Sequence, residues 1–200
     1  SSKAGNNIIE FIIPESNRMI VPGSLRIIGD IQIFKDQASP PAIPTATDTV
    51  NISPKLGVHS IIDSVHLSSQ VNKNTIENVR NYGGLYTGLL MGNEPIPLSS
   101  EGWGIGGLNI SISIADTSMV LYAPDNVNAF YQLSNVNLVC ELMTPSADQL
   151  SRLMSQTSAT LEYNAFNSFY QSIASTNAII NFNIATPRAL SFFANFIPST

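Results

Sequence analysis

The sequence predicts an all-β protein, an antiparallel eight-stranded jelly-roll β-sandwich with short helices in its connections. Three observations carry this. Segments of alternating apolar and polar residues recur at 24–34, 59–71, 108–115, 131–143 and 177–186, and period-two alternation is the pattern of a strand with one buried face. Clusters of Gly, Pro, Asn and Ser separate these segments, with no long helical stretches between strands that would argue for a parallel sheet. A hydrophobic content of 44% over 200 residues supplies one sizeable core. With no internal repeat and no break in composition, 1–200 reads as a single domain, a sandwich over 8–185 and a terminal helix with linker character over 186–200.

Taken in order, Ser1 to Asn7 is small and polar, a loose lead-in. Ile8 to Ile13 is a nearly continuous apolar run, the pattern of a buried strand, and Pro14 ends it. In Ser24 to Phe34 a long strand is expected, with Leu25, Ile27, Ile31 and Ile33 along one face and Gly29 between them as a candidate bulge. Lys35 to Pro54 holds four prolines and few large apolar side chains, so it must run as an extended loop over the surface or along a sheet edge. A structured loop of that length is a natural interaction surface.

In His59 to Val71 the odd positions Ile61, Val65, Leu67 and Val71 are apolar and the even positions Ser60, Ser64, His66, Ser68 and Gln70 polar. Asp63 falls on the apolar side, which predicts a place at the sheet rim or a partner such as Arg80. After the turn Asn72-Lys73-Asn74, Ile76 and Val79 at i, i+3 suggest one helical turn capped by Asn74 or Thr75. Tyr82-Gly83-Gly84-Leu85-Tyr86 turns the chain again, and Gly92 to Gly107 reads as an irregular connection anchored by Trp103.

Leu108 to Ala115 is the cleanest strand, with Leu108, Ile110, Ile112 and Ile114 on one face and Asn109, Ser111 and Ser113 on the other. Tyr131 to Met143 repeats the pattern with Val136, Leu138, Cys140 and Leu142 inward, opposite Asn135, Asn137 and Glu141, which makes Cys140 a core residue. Thr144-Pro145 places a capping hydroxyl before a proline at the first helical position, and Leu150, Leu153, Met154 and Thr157 follow helical spacing over about three turns. Leu161 to Ile173 reads as an aromatic-rich strand, and Ala178, Ile180, Phe182 and Ile184 as the inward face of another. Thr186-Pro187 repeats the cap, and Leu190, Phe193 and Ala194 give a terminal helix its apolar face before Pro198.

Composition excludes several functions. Only 12% of residues are charged, about half the usual share, so Ser, Thr, Asn and Gln make the surface polar and suit it to close packing against neighbours. A net charge of −5 and scattered basic residues argue against direct nucleic-acid binding. Cys140 is alone in the sequence, which rules out an intrachain disulfide or a cysteine-rich metal site. No apolar run approaches 18 residues and no signal-peptide pattern opens the chain, so a soluble protein made in the cytoplasm is expected.

A search for catalytic constellations nominates no catalytic, cofactor-binding or metal residue. Gly102-Trp103-Gly104-Ile105-Gly106-Gly107 satisfies G-x-G-x-x-G, but it precedes a strand where a dinucleotide site needs it to follow one. His59 and Asp63 on one strand face would stand roughly 13 Å apart at ~3.3 Å per residue, with His66 pointing the other way, too far apart to share a zinc ion at ~2 Å. No serine stands in a G-x-S-x-G elbow, and the glutamates Glu10, Glu15, Glu77, Glu94, Glu101, Glu141 and Glu162 form no nameable glycosidase pair. Asn51-Ile52-Ser53 and Asn109-Ile110-Ser111 match the glycosylation sequon, read as chance in the absence of a secretory signal.

A family resemblance emerges from Ser24 to Phe34, Val50-Asn51-Ile52, the run GVHSIIDSV from Gly57 to Val65, Ile76-Glu77-Asn78 leading to Asn81-Tyr82, LYTGLL from Leu85 to Leu90, and YQLSNVNLV from Tyr131 to Val139. This arrangement resembles the major capsid proteins of the double jelly-roll, hexon-like lineage of viruses. The resemblance is one of pattern over most of the chain, with no chemical motif. It implies a structural, non-enzymatic capsid protein without cofactors that assembles as a homotrimeric, pseudo-hexameric capsomer of an icosahedral shell. It places the protein in the virion, after synthesis in the host-cell cytoplasm, beside neighbouring capsomers and minor capsid or penton proteins, with room for an internal membrane beneath the shell. Members carry two jelly rolls in tandem, whereas 200 residues hold one. The chain is therefore expected to be one roll of a longer protein or a single-roll capsid subunit. The alternative is a carbohydrate-binding jelly-roll module, whose aromatic platform would be Trp103 with Tyr82 or Tyr86. A jelly-roll enzyme of cupin type needs more than the two histidines present.

Overall fold

The computed structural model describes residues 7–16, 18–21, 23–83, 107–124 and 128–155, together with Ile173 and Ile179. Over these residues the protein is mostly β, and every strand pairing is antiparallel. The strands are β1 (Ile8–Ile13), β2 (Met19–Ile20), β3 (Arg26–Phe34), β4 (Asn51–Ile52), β5 (Ile62–Ser69), β6 (Thr75–Arg80), β7 (Leu108–Ile114), β8 (Leu121–Tyr122), β9 (Phe130–Val139) and β10 (Leu142–Met143). A 3-10 helix at Gly57–Ile61 and two short helices, Thr117–Val120 and Ala147–Ser155, complete the description.

The four-stranded sheet, in the order β1-β7-β5-β6, turns sequence alternation into two chemically distinct faces. Register places Ile9, Ile112, Val65 and Val79 in one line across all four strands, and Phe11, Ile110 and Leu67 in the next. Ile110 and Ile112 are each 3% exposed, so the central strand is buried on this face. On the opposite face Glu10, Ser111, His66 and Asn78 form one polar line, and Asn109, Ser68 and Thr75 another. A one-residue slip would exchange the two faces, so burial of the isoleucines fixes the pairing. Asn109 Oδ1 is buried on the polar side without a hydrogen-bond partner, next to Ile12, whose side chain has no donor to offer.

Two bulges correct the reading of 59–79. Between Ile62 and Ser64 the register against β7 shifts because Asp63 is an extra residue, and it is turned out to solvent instead of lying on the apolar face. The alternating pattern also hid the 3-10 helix Gly57–Ile61, so the strand starts at Ile62 rather than His59, and Val71 lies exposed beyond its end. The expected helical turn at 75–79 is strand β6: a second shift, with Ile76 as the extra residue, puts Ile76 and Val79 three positions apart without any helix.

A third bulge lies in the long ribbon of β3 and β9. Ile28 pairs with Asn137 and Asp30 with Ser134, so Asn135 and Val136 together oppose Gly29. The extra residue is thus on β9 and not at Gly29. Asn135 takes it up with φ 53°, a left-handed conformation that asparagine tolerates, and its amide donates to Asp30 Oδ2 at 2.8 Å. Gly29 is small because the bulge presses on it: a Cβ there would stand 3.2 Å from Val136 Cγ2. Past the bulge the inward parity changes, so Tyr131 and Leu133, then Val136 and Leu138, are the half-buried positions. The strand ends at Val139, before Cys140 and Leu142. Leu142–Met143 pairs separately with Met19–Ile20, Leu142 is exposed, and Cys140 is half-buried rather than a core residue.

The buried cluster sits where short segments meet. Val50, Ala115, Val120, Leu121 and Ala129 form it, and Ile33, Ile52, Ile61 and Tyr131 pack against it. Asp116 caps Thr117–Val120 by accepting from the Thr117 N–H, and Val120 is fully buried. The Tyr131 hydroxyl donates to the Ala115 carbonyl at 2.6 Å, tying the ribbon to the end of β7, and burial together with the Asp116 charge pushes that phenol up to about 12. Phe34 and Phe130 stack at 4.8 Å on the same end of the ribbon.

The helix Ala147–Ser155 begins one cap later than expected. Ser146, not Thr144, is the cap: its hydroxyl accepts from the Gln149 N–H while Gln149 Oε1 accepts from the Ser146 N–H, a reciprocal box. Ile8–Ile13 forms the expected strand but is not buried throughout, since Ile8 and Ile12 are exposed on its polar side. The expected strands at 161–173 and 177–186, the irregular connection 92–106 with Trp103, and the terminal helix with Leu190, Phe193 and Ala194 lie outside the described residues.

Candidate assembly surface

Two features stand at opposite ends of the β3–β9 ribbon. The first is the loop that leaves β3 after Phe34, and carboxylates organise it. Asp36 Oδ1 accepts from the Ala38 and Ala42 N–H groups, and the Lys35 N–H donates to the Ala42 carbonyl at 2.9 Å, folding the segment back on itself. Asp48 Oδ2 accepts from the Thr45 N–H at 2.8 Å, the Thr45 hydroxyl at 2.7 Å and the Lys35 ammonium at 3.0 Å. These contacts, the Thr45 N–H foremost, then the Thr45 hydroxyl and Lys35, hold the Asp48 carboxyl down at about 2. Gln37 to Pro41 and Ile43 are displayed to solvent on this scaffold, with Ile43 61% exposed. Asp-x-Ala and Thr-x-x-Asp within a proline-rich stretch were the legible signals for such side-chain-to-backbone turns.

The second feature is the Arg26/Val139 end. Leu25, Ile27, Ile28, Val139, Leu142 and Met143 are all exposed there. Beside them an open groove of about 780 Å3 runs between β1 and the end of β9, lined by Ile9, Phe11, Val136 and Leu138 together with the charged Glu10 and Arg18. Cys140, a free thiol, also lines it.

The residues weighed for chemistry do not converge. His59 lies in the 3-10 helix, its ring tilted against Tyr82 at 6.2 Å, and burial lowers its pKa. His66 lies on the polar face of β5, with Nε2 3.1 Å from Thr75 Oγ1. The two histidines therefore belong to different elements, not to two faces of one strand. Asp63 projects from its bulge between them. Among the described residues no group of three His, Cys, Asp or Glu side chains could hold a metal ion, and no helix is long and apolar enough to cross a membrane. Of the aromatic platform considered for sugars, Tyr82 leans on His59, while Trp103 and Tyr86 lie outside the described residues.

What the geometry defines is an all-β antiparallel protein with an exposed apolar end. No protein-family profile, curated protein or solved structure matches the chain.

Proposed function

We propose that the chain is a non-enzymatic structural subunit of a viral shell, an eight-stranded jelly-roll domain of a capsid protein that associates with copies of itself, as trimers, to tile an icosahedral capsid. The observation that carries self-association is the concentration of exposed apolar side chains at one end: Leu25, Ile27, Ile28, Val139, Leu142 and Met143 together. Exposed apolar side chains gathered at one end of a ribbon favour association with another surface. The antiparallel sheets and the low charge content support the same reading, because the cores of protein interfaces are depleted of charged residues. The viral assignment rests on the resemblance of sequence pattern. Alternation at Leu161 to Ile173 and Asn177 to Thr186 supports further strands for the roll.

Sedimentation across a range of concentrations, with electron microscopy of the concentrated protein, tests this. Trimers and then closed particles are the expected outcome. A monomer at every concentration would refute it.

A further inference from the structure

We infer that the loop after Phe34 is a ligand for another protein: its run Pro40-Pro41-Ala42-Ile43-Pro44 is held out as a polyproline ridge that fits an aromatic-lined groove of the SH3 type. This goes beyond self-association, which the Arg26 end carries, and does not depend on it. Spacing is the first observation. Two pairs, each an apolar residue followed by proline, Pro40-Pro41 and Ile43-Pro44, are separated by a single residue, and proline runs of this kind are what such grooves bind. Local chemistry then shapes the backbone. Proline holds φ at about −65° at positions 40, 41 and 44, and the residue before a proline is confined to the extended region, which restricts Pro40 and Ile43. What these rules leave open lies at the junction of Pro41 and Ala42.

The fold closes that junction. Ala42 donates its N–H to Asp36 Oδ1 at 3.1 Å, and its carbonyl accepts from the Lys35 N–H at 2.9 Å, while Asp48 holds Thr45 just beyond the run. No helix, strand or turn interrupts 41–45. With three residues per turn, a polyproline helix sets Pro40 and Ile43 on one ridge, Pro41 and Pro44 on a second, and Ala42 alone on the third. Pro40, Pro41 and Ile43 are exposed and Pro44 is half-buried, whereas the residue of the third ridge is the one bonded to its own chain. Both ridges that a groove would read are therefore displayed, and the third carries the anchor. Because the loop is fixed beforehand, docking costs it little conformational entropy. Within two residues of the run there is no cation, only Ala38 and Ser39 before it and Thr45 and Ala46 after it. The contact thus rests on packing against aromatic rings rather than on an ion pair.

Titrating the intact chain into a panel of purified, isotope-labelled SH3 domains, and following the resonances of each aromatic groove, tests this. Saturable shifts in the groove of at least one domain are expected. Pro41→Ala combined with Pro44→Ala should weaken that binding by at least about tenfold, the loss that follows removal of residues central to a contact, while the melting temperature stays as in wild type, since neither proline belongs to the buried cluster. Ile43→Asp, at a position 61% exposed, should do the same. Binding that survives both variants would overturn the inference, because the contact would then lie elsewhere on the chain. Absence of binding across the panel would overturn it as well. So would binding confined to WW domains in a parallel panel, which read proline by a different groove.

Discussion

The two ends of the β3–β9 ribbon share one alternating pattern and have opposite fates. At the Phe34 end, Phe34 and Phe130 stack and Tyr131 bonds to Ala115, next to the fully buried Val120. At the Arg26 end, Ile27, Ile28 and Val139 are equally apolar and stand exposed. Alternation therefore reports which side of a strand is apolar, but burial depends on whether another element arrives to cover it. At the Phe34 end that cover is the Val50, Val120 and Leu121 cluster, drawn from loop ends and very short strands.

The largest expected effect comes from outside the ribbon and calibrates it. Ile112→Asp puts an unpaired carboxylate into the most buried line of the four-stranded sheet and should cost more than about 4 kcal/mol, a large share of a domain's ordinary stability. Ser111→Asp, one residue away on the polar face, should cost up to about 1 kcal/mol, since it sets a carboxylate opposite Glu10. Equal losses in denaturant titrations would mean that the two faces have been confused.

Within the ribbon of the dilute, unassociated protein, Phe34→Ala should lose about 3–5 kcal/mol and Ile28→Ala should stay within roughly 0.5 kcal/mol. That contrast is the sharpest check on the two ends. Similar melting temperatures for both variants would show that the Arg26 end is covered in solution.

The smallest effect concerns the loop beyond Phe34. Asp48 is held at about 2, below the ordinary 3.8 for its type, so its favourable contribution is complete above about pH 4 and is lost as the pH falls through 2. The Thr45 amide resonance should titrate with a midpoint near 2, and Asp48→Asn should abolish that step. A midpoint near 4 would mean that the carboxylate is not engaged.

These features were unevenly legible. β1 and β7 could be read to within a residue, β7 because nothing interrupts its alternation and β1 because Pro14 closes its apolar run. At Asp63, Ile76 and Asn135 a single extra residue shifts the phase, and a phase shift looks like something else: a charge on the wrong face, a helical turn, or a strand continuing to Leu142. The three were readable only as slips in period, such as Tyr131 and Leu133 followed by Val136 and Leu138. The cluster around Val120 had no periodic signal, because Val50, Ala115 and Ala129 lie in loops or beyond strand ends. The loop was legible as an extended surface segment from its prolines, but its two carboxylate anchors were not recognised, and the cleft joins strands too distant in sequence to be seen together.

That distance also governs how the protein comes into being. β1 pairs only with β7 among the described strands, Ile8 against Ser113, and Asp30 meets Asn135 across 105 residues of chain. Pairings of such long range are slow to form, since chain entropy is lost well before contacts compensate for it. During synthesis Ile8, Ile9, Phe11, Ile12 and Ile13 must leave the ribosome and wait, unpaired, until the partner strand follows. At roughly 5–20 residues per second that interval is on the order of ten seconds. In a cell making many copies at once, this waiting strand of one nascent chain can meet the same strand of its neighbours. Glu10, the one charged residue of Ile8–Ile13, opposes such edge-to-edge pairing.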